Sequence, residues 1–310
     1  HRCKTAAALE KRKQSRTGVG RPIGSYPTLF LMDLSLLKLG AEVRGIRLAD
    51  TVPEETINYI KDLVHKHKIL IFRNQGIITG ERHVEISRWF GELESTFYKH
   101  CRSPHPDVFR VSNDEKEGCT NVGRTGWHID GSFLEAPFSF SIYHIVSVPK
   151  MGNTDFVSFD QLIDSLTQEV RSQWDRLWIV SDRRSGLTHP LIYPHPITGQ
   201  ETLCFHLGMT EMFVWDFDTD HHRMTDWPET MKILKSIHQE IIKNKRELIY
   251  SHKWEEGDFI ISDNLALGHE ATPETQWHRS EVGLRVLHRT TIKGTSVPTK
   301  QKDKTRWPTS

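Results

Sequence analysis

The chain has 310 residues, 41 Lys and Arg against 40 Asp and Glu, and four widely scattered cysteines. That length supports one large domain or two modest ones, with a sizeable core that needs no disulfides. The balanced charge excludes the broad basic field of a nucleic-acid binder, and Cys3, Cys101, Cys119 and Cys204 make neither a zinc ribbon nor a secreted disulfide framework. Reduced thiols, and no apolar run near the roughly 18 residues of a spanning helix, point to a soluble cytoplasmic protein with no membrane partner.

In chain order, residues 1–22 are basic, small and polar, with Glu10 their only acid. They read as a flexible tail, with the remnant of an organellar transit sequence as the alternative. A single domain is expected over 23–298, followed by a short tail, 299–310. GAEVRGIRLAD alternates as a strand does. PEETINYIKDLVHKHK places Ile57, Ile60, Leu63 and Val64 on one helical face, with Glu54 and Glu55 in the first turn and Lys66 and Lys68 near the last. ILIFR reads as a buried strand. TGERHVEISRWFGEL reads as a second helix, capped by Thr79 and stopped by Gly91.

Strand signals then dominate: DVFRVSN, GWHIDGSF, FSFSIYHIVSV and DFVSF. Residues 160–178 return to helical periodicity. HPLIYPHPITGQETLCF looks like two short strands around a turn at Thr198 and Gly199. TMKILKSIHQEIIKNK is an amphipathic helix, and KWEEGDFIISDN and VGLRVLHRTTIKG are closing strands. Many short strands with a few helices predict a double-sheet β architecture.

In TGWHIDGSF, His128 and Asp130 stand two apart in an extended segment and so share one face, with Trp127 and Ile129 on the other. A metal, an ordinary hydrogen-bonded pair or half of a catalytic dyad would each suit them. A third ligand is available in EEGDFIISDNLALGHEATP at His269, with His278 a nearby rival. Two histidines and a carboxylate on one side of an iron leave positions open for a cosubstrate and oxygen, as in non-haem Fe(II) oxygenases.

At this point the sequence resembles the taurine dioxygenase family of Fe(II)- and 2-oxoglutarate-dependent oxygenases, from about Leu39 to Gly294. LGAEVRGIRLAD with HKILIFRNQGIITGERHVEISRWFGELE looks like the family's opening, and WHIDGSF like its iron-binding strand. VPKMGNTDFVSF, HPLIYPHPITGQETLCF, WEEGDFIISDNLALGH and LRVLHRTTIKG follow in the family's order. The resemblance implies a mainly β fold with flanking helices, a distorted double-stranded β-helix (a cupin-like jelly roll). It implies that His128, Asp130 and His269 hold the iron and carry catalysis. Arg285 would pair with the distal carboxylate of 2-oxoglutarate, with Thr154 adding a hydroxyl. A guanidinium fork matches a carboxylate bidentately, which suits Arg285 for that part.

By the same resemblance Arg289, on the same strand face as Arg285, would meet the anionic group of a small organic substrate or the cosubstrate, so an acidic substrate is expected. Asn113, Arg124 and Tyr98 are further candidates for substrate contact, and the loop with His100 and Arg102 could also reach the pocket. His189 and His195 read as hydrogen-bonded residues near the core. The expected reaction is hydroxylation with O2, releasing succinate and CO2. Desaturation, cyclisation or isonitrile formation on an amino-acid derivative is the alternative, then a zinc hydrolase on the same ligands, then a non-catalytic binding protein. Asp130 argues against halogenation, in which related enzymes replace that carboxylate. Homo-oligomer formation is left open.

Three features depart from the family pattern. The interval of 16 residues from His269 to Arg285 is long, Ser262 stands where a Trp often precedes the Asp-Asn pair, and 179–188 is short for a lid.

Overall fold

The computed structural model describes residues 32–94, 99–123, 125–181, 185–243 and 245–300. Both expected tails lie wholly or mostly outside these, as do Tyr98 and Arg124. The fold is mainly β. In chain order the elements are β1 (Asp33–Leu36), β2 (Ala41–Arg44), α1 (Glu54–His67), β3 (Ile69–Phe72), α2 (Gly80–Arg88), β4 (Phe109–Ser112), β5 (Phe140–Ser147) and β6 (Thr154–Ser158). Then come α3 (Phe159–Asp164), α4 (Gln168–Trp174), β7 (Leu177–Val180), β8 (Thr188–Pro190), β9 (Ile192–Pro194), β10 (Glu201–Leu203), β11 (Met212–Trp215) and β12 (Arg223–Met224). The chain closes with α5 (Trp227–Lys243), α6 (Lys245–Leu248), β13 (Ile249–His252), β14 (Phe259–Asp263), β15 (Leu267–Ala271), a 3-10 turn (Pro273–Gln276), α7 (Arg279–Val282) and β16 (Val286–Ile292).

A seven-stranded sheet runs in the order β1-β2-β3-β14-β5-β16-β4, and a three-stranded sheet in the order β13-β6-β15. Side-chain alternation along β5 shows how they are layered. Phe140 and Ile142 pack outward with Ile60, Leu63, Val64 and Ile86 of α1 and α2. Tyr143 and Ile145 pack inward with Phe156 and Leu267 of the smaller sheet. The smaller sheet in turn buries Val157 against Trp174, Ile237 and Ile241 of α4 and α5. The two sheets therefore face each other, with helices on both outer sides.

Local sequence explains α1 and α2. The buried face of α1 is Thr56, Ile60, Leu63 and Val64, and its first turn carries Glu54 and Glu55 where the helix dipole favours them. The Thr79 hydroxyl accepts the Arg82 N–H, as an N-cap does. The end of α2 differs from the expectation: it stops at Arg88, with Trp89 as C-cap, before Gly91. Residues 160–178 break into α3, α4 and the start of β7, because Thr167 begins a fresh helix by accepting the Val170 N–H.

GWHIDGSF is not a strand of a ladder. His128 forms isolated bridges to His206 and His269, and the chain then turns at Asp130. Of the short 179–188 segment the described ends lie in β7 and β8, where β7 pairs with β8 on one side and β11 on the other. The long interval before Arg285 is filled by the 3-10 turn and α7.

Candidate metal centre

His128, Asp130 and His269 come from a bridge residue, the turn after it and the middle of β15. Their ligand atoms lie within 4.8 Å of one another and all three residues are buried. His128 Nε2 stands 4.0 Å from Asp130 Oδ1, and His269 Nε2 stands 3.6 Å from Asp130 Oδ2. The expected opposite faces hold as well, since Trp127 and Ile129 lie in the core on the α4–α5 side. His278, the rival third ligand, is exposed and caps α7 by accepting the Ser280 N–H.

Each ligand is fixed by neighbours. His128 Nδ1 donates to the Gly126 carbonyl at 2.7 Å, which leaves the Nε2 lone pair for a metal. Gly126 sits at φ +89 and Gly131 at φ +77, left-handed conformations that bracket the ligand pair and suit glycine. A Cβ on Gly131 would also press to within 3.0 Å of the Phe138 backbone N. Asn264, in the turn between β14 and β15, clamps the Asp130 backbone on both sides. Its Oδ1 accepts the Asp130 N–H at 2.8 Å, and its Nδ2 donates to the carbonyls of Asp130 and Phe138.

The Asp130 carboxylate accepts from Ser141 Oγ at 2.6 Å and from Arg289 Nη1 at 2.7 Å. Burial works against its ionisation, but Arg289, the two histidines and Ser141 together hold its carboxyl well below the usual range. Burial is the main cause lowering His128, and it pushes His269 down to about 3, with His128 adding to the effect. An ionised carboxylate and two neutral imidazoles are the forms that bind a divalent cation. The donor set of two nitrogens and an oxygen, two of whose residues line a cavity, suits iron.

That cavity, of about 460 Å³, is lined by His128, Asp130, His206 and Arg289, with Phe109, Phe133, Leu134, Phe138 and Met209 among its apolar walls. Arg289 lies over the Phe109 ring at 5.1 Å, and its Nε has no hydrogen-bond partner among the described residues.

Arg285, immediately before β16, is 2 % exposed, and among the described residues its Nε also has no hydrogen-bond partner. Burial alone pushes its guanidinium down to about 10. A buried, uncompensated cation is costly, and an anionic ligand relieves that cost. The carboxylate end of 2-oxoglutarate therefore fits this orphaned donor. Thr154 begins β6 in the facing sheet, where its Oγ accepts from Trp254 Nε1 at 3.1 Å, leaving the hydroxyl proton to donate.

Asn113 is not a cavity residue, contrary to expectation. Its Nδ2 donates to the carbonyls of Trp277 and Gly283, and its Oδ1 accepts the Arg285 N–H at 2.8 Å. It is consumed in shaping the loop that precedes Arg285. His100 bonds to the Glu115 carbonyl and Arg102 pairs with Glu117, away from the cavity. His189 Nε2 donates to the Leu134 carbonyl at 2.8 Å. Tyr98 and Arg124 lie outside the described residues.

Sequence reasoning missed His206, one residue beyond the LCF that ends the two-histidine segment. Its ring stacks on His128 with centroids 4.5 Å apart and planes 25° apart. Burial, helped by His128, pushes it down to about 3. A second group, His65, His195 and Asp263, also gathers ligand atoms within 4.8 Å. Its hydrogen bonds give it a structural part. His195 Nδ1 accepts the N–H groups of Ile197 and Thr198, so its Nε2 carries the proton and donates to Asp263 at 3.2 Å. Asp263 also accepts from the backbone of Leu265 and Ala266, and so holds the turn that carries Asn264.

The sequence model described as taurine catabolism dioxygenase TauD, TfdA family matches residues 33–291. The chain is 24% identical over 254 residues to 3-((Z)-2-isocyanoethenyl)-1H-indole synthase of Fischerella ambigua, covering 77% of this chain and 89% of that protein. It is also 24% identical over 268 residues to the alpha-ketoglutarate-dependent sulfate ester dioxygenase of Pseudomonas putida, covering 76% and 82%. A third relative is the alpha-ketoglutarate-dependent 2,4-dichlorophenoxyacetate dioxygenase of Cupriavidus pinatubonensis, 24% identical, covering 74% and 87%. In fold, the chain resembles a taurine dioxygenase from Burkholderia xenovorans, with a TM-score of 0.68 at 23% identity, covering 86% of this chain and 90% of that one.

Proposed function

Because the chain belongs to the taurine catabolism dioxygenase TauD, TfdA family, we propose that its cavity oxidises a small anionic organic substrate at iron held by His128, Asp130 and His269. It is an Fe(II)- and 2-oxoglutarate-dependent dioxygenase that uses O2. When bound, the iron and 2-oxoglutarate supply the oxidising chemistry, with succinate and CO2 released and a substrate C–H bond hydroxylated. The observation that carries the proposal is the meeting of His128 and Asp130, which line the cavity, with the chain-distant His269, together with a buried Arg285 whose Nε has no hydrogen-bond partner among the described residues.

The chain's own residues do the rest. Asn264, Ser141 and Gly126 orient the ligands. Arg285, with Thr154, receives the distal carboxylate of 2-oxoglutarate. Arg289 keeps its Nε for the anionic group of the substrate while its Nη1 holds Asp130. The phenyl and aliphatic walls take the substrate's apolar body and exclude water. The sulfate ester and phenoxyacetate in the names of two relatives combine an anion with an organic body, and so support this class.

A second outcome on the same scaffold, desaturation, cyclisation or isonitrile formation, draws support from the isocyanide-forming relative of Fischerella. The proposal extends to the finer fold, a distorted double-stranded β-helix built from the two facing sheets, and to one domain over 23–298. A cytoplasmic setting, with an organellar one as alternative, belongs to it too; among the described residues no helix is long and apolar enough to cross a membrane.

Anaerobic addition of Fe(II) and 2-oxoglutarate should produce the weak visible charge-transfer band of a chelated keto acid. Admission of oxygen should then yield succinate. Turnover supported by zinc alone, without succinate, would instead establish a hydrolase. Coupled oxygen uptake across sulfate esters, sulfonates, aryloxy acids and amino-acid derivatives then identifies the substrate class.

A further inference from the structure

We infer that His206 is a positioning residue for the metal centre, its ring face holding the His128 imidazole at the tilt from which Nε2 reaches the metal. The inference rests on the proposed ligand set and adds a side chain that is not itself a ligand.

The backbone builds a short row of histidines. Residues 205–207 run antiparallel to 127–129, joined by Leu207 N to Trp127 O and Ile129 N to Phe205 O, each 3.1 Å. In that register His206 and His128 are directly opposite without bonding to each other, the pairing in which cross-strand side chains sit closest. On the other side His128 and His269 exchange both backbone bonds, at 3.1 and 3.0 Å. The three central residues are therefore all histidines, and the His128 ring is enclosed between two others. Its centroid is 4.5 Å from that of His206 and 4.3 Å from that of His269.

The single bond from His128 Nδ1 to the Gly126 carbonyl decides which nitrogen faces the metal. One bond does not fix ring tilt, because the imidazole can swing about the Nδ1–O line. His269 meets the ring tilted at 52°, whereas His206 lies at 25°, close to parallel, and covers a face. His206 is itself well anchored. Its Nδ1 accepts the Gly208 N–H at 3.2 Å, and its carbonyl accepts the backbone N–H of Thr210 at 3.0 Å and the Thr210 hydroxyl at 2.8 Å. Gly208 is packed so closely that a Cβ there would fall 2.4 Å from the Thr125 Cβ. Near-parallel stacking also keeps His206 out of the ligand set: among the described residues, the group of mutually close ligand atoms takes in His128, Asp130 and His269 without it.

Substitution separates the ring face from the ring nitrogens. His206→Phe keeps a flat face and removes both nitrogens; His206→Gln keeps polar atoms and removes the face; His206→Ala removes both. Each metal-free protein is titrated with Mn(II) by calorimetry, and each is then given Fe(II) and 2-oxoglutarate anaerobically. The phenylalanine variant should bind Mn(II) within about threefold of the parent and keep its charge-transfer band. Gln and Ala should weaken metal binding by about tenfold or more, the usual scale for losing the support of a ligating histidine, and shift or broaden the band. Melting curves of the metal-free proteins check folding, and the Gln variant carries the test if Ala does not fold.

Equal loss in Phe and Ala would overturn the inference, because the face would then be irrelevant. Parent-like binding and an unchanged band in all three would overturn it too. A parent protein that takes up no metal would defeat the ligand assignment itself, and is distinguished by failing before any substitution is made.

Discussion

Asp130 and Arg289 form a largely buried ion pair at the heart of the site, and a metal would share that carboxylate. Removing one partner of a buried pair costs about 3–5 kcal/mol. Arg289→Ala should therefore lower the melting temperature of the metal-free protein sharply, with much of the loss recovered on adding Mn(II), since the cation then compensates Asp130. An equal drop with and without Mn(II) would show that the pair is indifferent to metal. Arg285 tests the other end. Arg285→Ala should raise the dissociation constant for 2-oxoglutarate by about a hundredfold or more, taking the same buried-pair cost at its lower end, while leaving Mn(II) affinity within a few-fold. Isothermal titration of the two ligands separates these effects. The pair at 128 and 130 was readable locally because two-residue spacing dictates a shared face. The misreading of Asn113 has an equally physical cause. A polar residue beside a strand end serves backbone carbonyls as readily as substrate, and only the path of 277–285 decides between them.

At the scale of elements, the turn between β14 and β15 acts through Asn264, which satisfies the Asp130 N–H and two carbonyls at once. A buried polar group left unsatisfied costs roughly 1–3 kcal/mol. Asn264→Ala should lose several degrees in thermal melting and also weaken metal binding. Asn264→Asp, which keeps an acceptor for the Asp130 N–H and loses both donors, should fall between. Parent-like Mn(II) affinity in Asn264→Ala would remove the turn from the account of Asp130. The outer face of the large sheet holds a different device. His83 on the buried face of α2, His144 on β5 and His288 on β16 are buried together, with ring centroids 6.5 Å apart in each neighbouring pair. Burial is the chief cause lowering all three; neighbouring histidines add to it at His83, and Arg110 adds to it at His288, which is pushed down to about 3. Unfolded imidazoles titrate near 6.5. As pH falls below that value the unfolded chain takes up protons that the folded chain refuses, so stability declines by up to about 1.4 kcal/mol per pH unit for each histidine. The denaturant midpoint should fall between pH 7 and pH 5, and His288→Gln should flatten the slope. The same midpoint at both pH values would refute this.

For the whole molecule, the two facing sheets bring β15, β16 and the 127–131 segment together, so ligand binding should stabilise the entire fold. A ligand at a hundred times its dissociation constant adds about 2.7 kcal/mol. Mn(II) at that level should raise the melting temperature by several degrees, and 2-oxoglutarate should add a second increment. Arg285→Ala should keep the first increment and lose most of the second. A single shift, insensitive to Arg285, would place 2-oxoglutarate elsewhere.

The sequence by itself determined the amphipathic helices α1, α2 and α5 and the long apolar strands, because those depend on periodicity within a few turns or residue pairs; the break between α3 and α4 and the short α7 carry no such signal. It also determined that His128 and Asp130 point one way. Strands as short as β12, with two residues, carry no periodic signal and exist only through their partners. Tertiary structure alone decided that His206 stacks on His128, that Asn264 clamps Asp130, that His269 lies beside His128 and Asp130 while His278 is exposed, and that Arg285 is buried with no counterion among the described residues. Each of these depends on pairing register between segments far apart in the chain, and a one-residue slip would turn every such side chain to the opposite face.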